Sequence, residues 1–291
     1  MRLRDKDYLR TCDGLIFNAL GYHHSATQAT CGLKYVDGVK WLGDYQAAIQ
    51  FLRERYPHYV QEIIQVPFDQ VAEHYRSEDR LPQLRRTQPG GLLKKSVELV
   101  DRLASLLDIP TSAWGLTDSL LWGSGKPDSD IDLVIYGTEN CQTWLSSADK
   151  IYDSADLRPM TAEHIQRPPS LTDDQFARLL RRKSNQGYYC GVRFSVRGVR
   201  DWNSTPDPLP LGRGAAAQLQ LTISDHRQSL FYPVVYETLE QIEIVSFHIG
   251  YESSLRPGDR VEVRGAQVGD HQILVGSHFG REESIRLIAA A

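Results

Sequence analysis

The chain has 291 residues, room for two or three domains, and its 41% hydrophobic and 24% charged content is that of a soluble globular protein. A net charge of −4 excludes a wholly basic nucleic-acid binder while leaving room for local basic patches. Cys12, Cys31, Cys141 and Cys190 are scattered without a CxxC pair, which disfavours a zinc site or disulfide framework, and the charged N-terminus and lack of a long apolar run predict a cytoplasmic protein without signal peptide or membrane span.

Residues 1–88 read as an α/β accessory region. Apolar runs at residues 14–20 and 31–36, separated by polar turn residues, predict a long hairpin. A helix is expected from Asp44, with Tyr45, Ala48, Ile49 and Leu52 on one face, ending before Pro57. Residues 60–90 suggest a strand at 60–66, a short helix and a basic stretch around Arg85 and Arg86. Gln88-Pro89-Gly90-Gly91 closes the region.

A strong amphipathic helix follows over 92–107, with Leu93, Val97, Val100, Leu103 and Leu107 in line and Pro110 beyond it. Helices at 141–154 and 172–184 and an alternating strand at 191–200 complete a central α+β unit over 89–204. Pro206, Pro208, Pro210, Gly212 and Gly214 mark a linker. Residues 215–291 then read as a small all-β barrel, OB-like in its Leu255-Arg256-Pro257-Gly258-Asp259 turn, with short strands at 219–223, 231–236, 242–248, 260–264, 272–275 and 284–288. Phe231, Tyr232, Tyr236 and Phe247 read either as core or as a platform for single-stranded bases.

The stretch from Trp114 to Gly137 carries the chemistry. It reads as a short strand, a turn with one or two helical turns, a polar loop and a buried strand. Asp130 and Asp132 are two residues apart at the start of that strand, so they face the same side. Two adjacent carboxylates repel unless a cation or proton joins them, and their oxygens suit Mg²⁺ (or Mn²⁺), which completes its shell with water and phosphates.

Ser119, Gly123, Ser129, Asp130 and Asp132, with ten residues between Ser119 and Asp130, resemble the pattern of the DNA polymerase beta-like nucleotidyltransferase superfamily, especially its minimal members. The overall arrangement also resembles uncharacterised archaeal and cyanobacterial proteins with such a domain. The resemblance covers about 25 residues closely and extends in context over about 90–200. It implies an α+β fold with a polymerase-beta-like core, a mixed sheet with helices. It also implies Mg²⁺-dependent transfer of a nucleoside monophosphate from a nucleoside triphosphate to an acceptor hydroxyl, with RNA or DNA as a possible acceptor. Asp130 and Asp132 would be the catalytic metal ligands. Ser119, Asp118, Ser124 and Lys126, with backbone N–H groups of the turn, would meet the phosphates.

Two departures stand out. Asp118 occupies the position where the family has Gly; it could cap the following helix, act as a third metal ligand, or obstruct the triphosphate by bulk and charge. The family's third carboxylate is expected on the strand at 191–200, which has neither Asp nor Glu; Asp201, Asp225 and Glu237 lie beyond it. Between Phe176 and Arg200 the charged residues are all basic: Arg178, Arg181, Arg182, Lys183, Arg193, Arg197 and Arg200. They read either as a phosphate clamp, with Arg193 and Arg197 on one strand face, or as a solvated, ion-paired surface. Trp114 and Trp122 read as core or pocket wall. The alternatives to transfer onto nucleic acid are a catalytically impaired binding or regulatory module and an enzyme that nucleotidylates another protein.

Overall fold

The computed structural model describes residues 1–160, 170–204, 214–276 and 282–291, an α+β arrangement of three sheets. The first sheet holds β1 (Tyr8–Thr11), β2 (Ile16–Ala19), β3 (Gln28–Val36) and β4 (Val39–Lys40). After α1 (Tyr45–Arg55) come β5 (Gln65–Pro67), β6 (Val71–Tyr75) and α2 (Ser77–Thr87). The strand order is β4-β3-β2-β1-β6, with β5 also on β3. The expected hairpin is β2–β3, and α1 starts where Asp44 accepts a hydrogen bond from the Ala47 N–H at 2.8 Å. The strand expected at 60–66 shrinks to a bridge between Val60 and Ile64 followed by β5. The basic residues Arg85 and Arg86 end α2, where Arg85 pairs with Asp101.

One face of this sheet buries Leu9, Phe17 and Leu33 against Ala48, Ile49 and Leu52 of α1. The other buries Tyr8, Ile16 and Tyr35 against Leu121, with Trp122 packed alongside. Ile16 pairs with Tyr35 and Phe17 with Leu33, so Lys34 is the extra residue of a bulge. That bulge lets Lys34 and Tyr35 both serve the second face, an example of how bulges re-aim side chains.

The central unit contains α3 (Gly91–Leu107), β7 (Trp114–Leu116), β8 (Ile131–Tyr136), α4 (Thr138–Ser146), α5 (Ala148–Ile151), β9 (Leu157–Pro159), α6 (Asp173–Leu180), β10 (Gln186–Tyr189) and β11 (Val192–Val199). Its sheet runs β7-β8-β11-β10-β9, with β8 parallel to β11 and the other pairs antiparallel. Ile131, Leu133, Ile135, Phe194 and Val196 face Leu99, Val100, Leu103 and Leu107 of α3. The helix expected over 141–154 is two helices that meet at Ser147, whose N–H is shared between the Thr143 and Trp144 carbonyls.

The last sheet comprises β12 (Ala215–Asp225), β13 (Val234–Thr238), β14 (Glu243–Ser246), β15 (Arg260–Val268), β16 (Gln272–Val275) and β17 (Ser284–Ala289). Five strands close into a barrel in the order β12-β13-β14-β16-β15-β12, and β17 adds to β15. The pair β14–β16 is parallel and the rest are antiparallel. The expected linker residues Pro206, Pro208, Pro210 and Gly212 lie outside the described residues.

Barrel and central unit interlock. Phe176, Leu179 and Leu180 of α6 join the barrel core, whereas Leu230 and Phe231, between β12 and β13, join the central core. Gly198 makes room for this: a Cβ there would meet the Phe231 ring at 3.0 Å, and its N–H donates to the Leu230 carbonyl at 2.9 Å. No helix among the described residues is long and apolar enough to cross a membrane, and all four cysteines are free thiols.

Candidate functional site

Register across three strands builds the site. Thr117 donates its N–H to the Asp132 carbonyl at 2.9 Å, continuing the β7–β8 ladder, and Asp132 is the direct partner of Ser195 on β11. Directly paired residues share a sheet face, so Thr117, Asp132 and Ser195 form a row. The Ser195 hydroxyl donates to Asp132 Oδ1 at 2.6 Å. Asp130, at the same face two residues earlier, is ion-paired with Arg193, and Arg197, further along β11, pairs with Glu252 of the barrel. Tyr8 and Lys34 of the first sheet, with Lys6 just before β1, lie against Asp118 on this face.

Asp118 opens a single 3-10 turn, Asp118–Leu120, the lower end of the one or two helical turns expected there. The position before the turn belongs to Thr117, whose side chain makes no capping bond, so the capping role for Asp118 is not realised. Asp118 takes a left-handed backbone with φ of 51°, and its Oδ1 lies 3.6 Å from Lys34 Nζ. Such a conformation is uncommon outside glycine, though Asp tolerates it better than most residues. Past the turn, Ser124 donates its N–H to the Ser119 carbonyl at 3.0 Å, and the Lys126 N–H donates to Ser129 Oγ at 2.9 Å. Ser119 is half-buried, while Ser124 and Lys126 are exposed on the loop that leads to Asp130.

The electrostatics divide Asp132 from Asp118. Burial and the neighbouring charge of Asp118 push the Asp132 carboxyl up to about 6, against the opposing pull of Ser195 and Arg197. Burial also acts on Asp118, but Lys34, the Tyr8 hydroxyl, Lys6 and Arg197 outweigh it and hold that carboxyl at about 2. Burial disfavours the Arg197 charge, yet Glu252, Asp132, Asp118 and Asp5 together raise its value above the ordinary one. Burial lowers Lys6 and raises Asp5, a pair with Nζ and Oδ2 3.9 Å apart.

Of the residues singled out in the sequence, Asp118, Asp130, Asp132, Arg193 and Arg197 converge here, with Ser119, Ser124 and Lys126 on the adjoining turn. Most of the other basic residues are tied into the fold. Arg182 makes two 2.8 Å bonds to the buried Asp259, Arg178 pairs with Asp174 and Lys183 donates to the Ile249 carbonyl at 3.0 Å. Arg200 lies over Phe231 and donates to Gln228. Asp201 is at the far end of β8, beside Gly137, and Asp225 pairs with Arg227, so neither replaces the expected third acid.

Trp114 is core against Trp144, and Trp122 is a wall packed on Tyr8 and Tyr35. Phe231 and Tyr236 are wholly buried and cannot stack on bases; Tyr232 and Phe247 remain half-buried in edge contact with each other. Sequence reasoning missed Lys34, Lys6, Tyr8, Ser195 and Glu252. Only Ser195 had a signal available, as the residue between two arginines on a strand face.

The donor set suits a hard cation, since Asp130 and Asp132 offer carboxylate oxygens at a partly accessible rim and Mg²⁺ needs only one or two carboxylates from the protein. Among the described residues no group of three or more Asp, Glu, His or Cys side chains is placed to hold a metal ion.

No known protein family matches the chain, and no solved structure matches it. An uncharacterised protein of the archaeon Methanocaldococcus jannaschii is 23% identical to it, an alignment that covers 91% of this chain and 90% of that protein. The likeness therefore spans all three units and carries no activity with it.

Proposed function

We propose that this chain is a Mg²⁺-dependent nucleotidyltransferase of the polymerase-beta-like type, active in the cytoplasm, with an OB-like barrel attached. The observation that carries the reading is the shared face of Asp130 and Asp132 at the start of β8, beneath the Asp118–Ser124 turn and beside Arg193. The sheet is compatible with such a core: β7 is antiparallel to β8, and β8 is parallel to β11. The barrel's strand order, first-second-third-fifth-fourth-first, supports the OB-like reading.

In this proposal Asp130 and Asp132 hold the Mg²⁺, with Ser195 fixing the orientation of Asp132. An ion held by them would supply positive charge to offset that of the phosphates of a nucleoside triphosphate. Ser119 and the N–H groups of its turn, with Ser124 and Lys126 on the loop, contact those phosphates. Arg193 lies at the rim and turns from Asp130 to phosphate, while Arg197 sits deeper and acts through charge. The acceptor hydroxyl, RNA or DNA in the main reading, approaches over the barrel side. Asp130→Ala and Asp132→Ala are each expected to abolish incorporation of labelled nucleotide without changing the circular dichroism spectrum. Wild-type-like transfer by either variant would remove the assignment.

A second reading is favoured by the Arg193–Asp130 pair and by Ser195 standing where an acid is expected: a fold that has lost transfer chemistry and serves as a nucleic-acid-binding or regulatory module. Transfer assays with four nucleotides and mixed acceptors decide between them, since reproducible label on any acceptor dismisses the second. Label found on protein rather than nucleic acid would instead make protein nucleotidylation the activity.

A further inference from the structure

Strand register sorts the outer half of the central sheet into two rows. Tyr189 pairs with Val192 on β11 and with Leu157 on β9, and all three pack on the central core. Tyr188 pairs with Arg193 on one side and with Arg158 on the other. Side chains alternate along a strand, so Arg158, Tyr188 and Arg193 lie on the opposite face, the one that carries Asp130, Asp132 and Ser195. Arg193, ion-paired with Asp130, joins this row to the candidate site, and Arg158 ends it on the edge strand β9. Tyr188 is half-buried and Arg158 is exposed. Among the described residues the Tyr188 ring meets no other ring, its hydroxyl has no hydrogen-bond partner, and Arg158 has no carboxylate partner. An open aromatic face bracketed by positive charge is the combination that holds single-stranded nucleic acid.

We propose that Tyr188 is a stacking platform for the terminal base of a single-stranded nucleic-acid acceptor, and that Arg158 binds the backbone phosphate behind that base. Charge complementarity selects this occupant: the row offers an aromatic face between two guanidiniums, and its one carboxylate, Asp130, stands at the far end. The proposal rests on the nucleotidyl-transfer reading for the direction of approach. In that reading the phosphates that leave lie at the Ser119 turn, on the β7 flank of Asp130. A hydroxyl attacking in line comes from the opposite flank, over β11 and β10. Two strand spacings, about 10 Å, separate β10 from β8, a distance within reach of one nucleotide. Every base has a π-face, so a platform of this kind accepts any terminal base and sets affinity for the acceptor rather than its sequence.

The test is fluorescence anisotropy of short labelled oligoadenylates, RNA and DNA, and of the same strands in a blunt duplex, with thermal melts to show that each variant is folded. Tyr188→Ala is expected to weaken single-strand binding about tenfold and duplex binding little. Tyr188→Phe should bind as the wild type does, because the ring and not the hydroxyl stacks. Arg158→Gln is expected to lower the slope of log affinity against log salt by about 0.7, the share of one phosphate contact on a single strand. In transfer assays Tyr188→Ala should raise the acceptor KM and leave the nucleotide KM unchanged. Wild-type affinity in Tyr188→Ala, an equal loss on duplex, or a raised nucleotide KM with the acceptor KM unchanged overturns the platform and leaves the transfer reading standing. Failure of the wild type to bind either single strand at low salt also overturns it. Single strands bound through Tyr188 with no label transferred to any acceptor would instead remove the transfer reading and leave Tyr188 as the platform of a binding module.

Discussion

At Asp132 a single side chain shows how burial and charge compete. Desolvation and Asp118 raise its carboxyl to about 6, and the Ser195 hydroxyl and Arg197 recover only part of that rise. An unfolded Asp titrates near ~3.9, so between that value and about 6 the folded protein holds a proton that the unfolded chain has released. Folding therefore loses stability as pH rises through this window: the penalty is absent below the unfolded value and complete above the folded one. Asp132→Asn removes the charge and keeps an oxygen for Ser195. In metal-free melts we expect it to raise the midpoint at pH 8 by roughly 2–4 °C, on the order of 1 kcal/mol, and to change it little at pH 4. An equal gain at both pH values would mean that ionisation of Asp132 is not what the fold pays for.

Elements differ in how openly their sequences announce them. The helix α3 was plain because five apolar residues recur along one face, and α1 because Asp44 caps a similar pattern. Strand β8 was plain as a continuous apolar run after the two carboxylates. Strands β6, β9 and β10, three to five residues each, were not, since what makes them strands is a partner elsewhere in the chain. The site divides the same way. Asp130 and Asp132 flank the first residue of one strand and could be read, whereas Lys34 arrives through a bulge and Glu252 through a turn of the barrel more than a hundred residues away. Gly115 also hid its reason. A Cβ there would lie 2.8 Å from the Ser77 carbonyl group and from Val134, because α2 begins directly over β7. Gly115→Ala is expected to destabilise by about 1–3 kcal/mol, as overpacked positions do. Asp44→Ala, which removes one cap at an exposed helix end, should cost about 1 kcal/mol. Urea titrations compare the two, and a smaller loss for Gly115→Ala would show that α2 moves off β7 with little resistance.

Across the whole molecule the three units meet at one guanidinium. Arg197 pairs with Glu252 of the barrel, and its charge is further supported by Asp132 and Asp118 of the central unit and by Asp5 in the segment before β1. Arg193 is its sequence twin, four residues earlier on the same strand face, yet its pair with Asp130 has side chains 31% and 32% exposed, against 14% and 2% for Arg197 and Glu252. Exposure decides what each pair is worth. Water screens the outer pair, so its loss should cost about 0–1 kcal/mol. Removing the inner cation leaves Glu252 buried without its partner and three further carboxylates less compensated, a loss of about 3–5 kcal/mol. Arg197→Met should therefore lower the metal-free urea midpoint far more than Arg193→Met. Because Glu252 also accepts a 3.0 Å bond from Asn185, itself buried between β11 and the barrel, the loss should loosen the barrel seam as well as the site. Amide exchange would then quicken at residues 251–255 and 183–185 together with the start of β8. Equal destabilisation by the two methionine variants, or exchange that quickens only in β11, would show that Arg197 is a local counter-ion and that the barrel is held by its apolar contacts and by the Arg182–Asp259 and Lys183–Ile249 bonds.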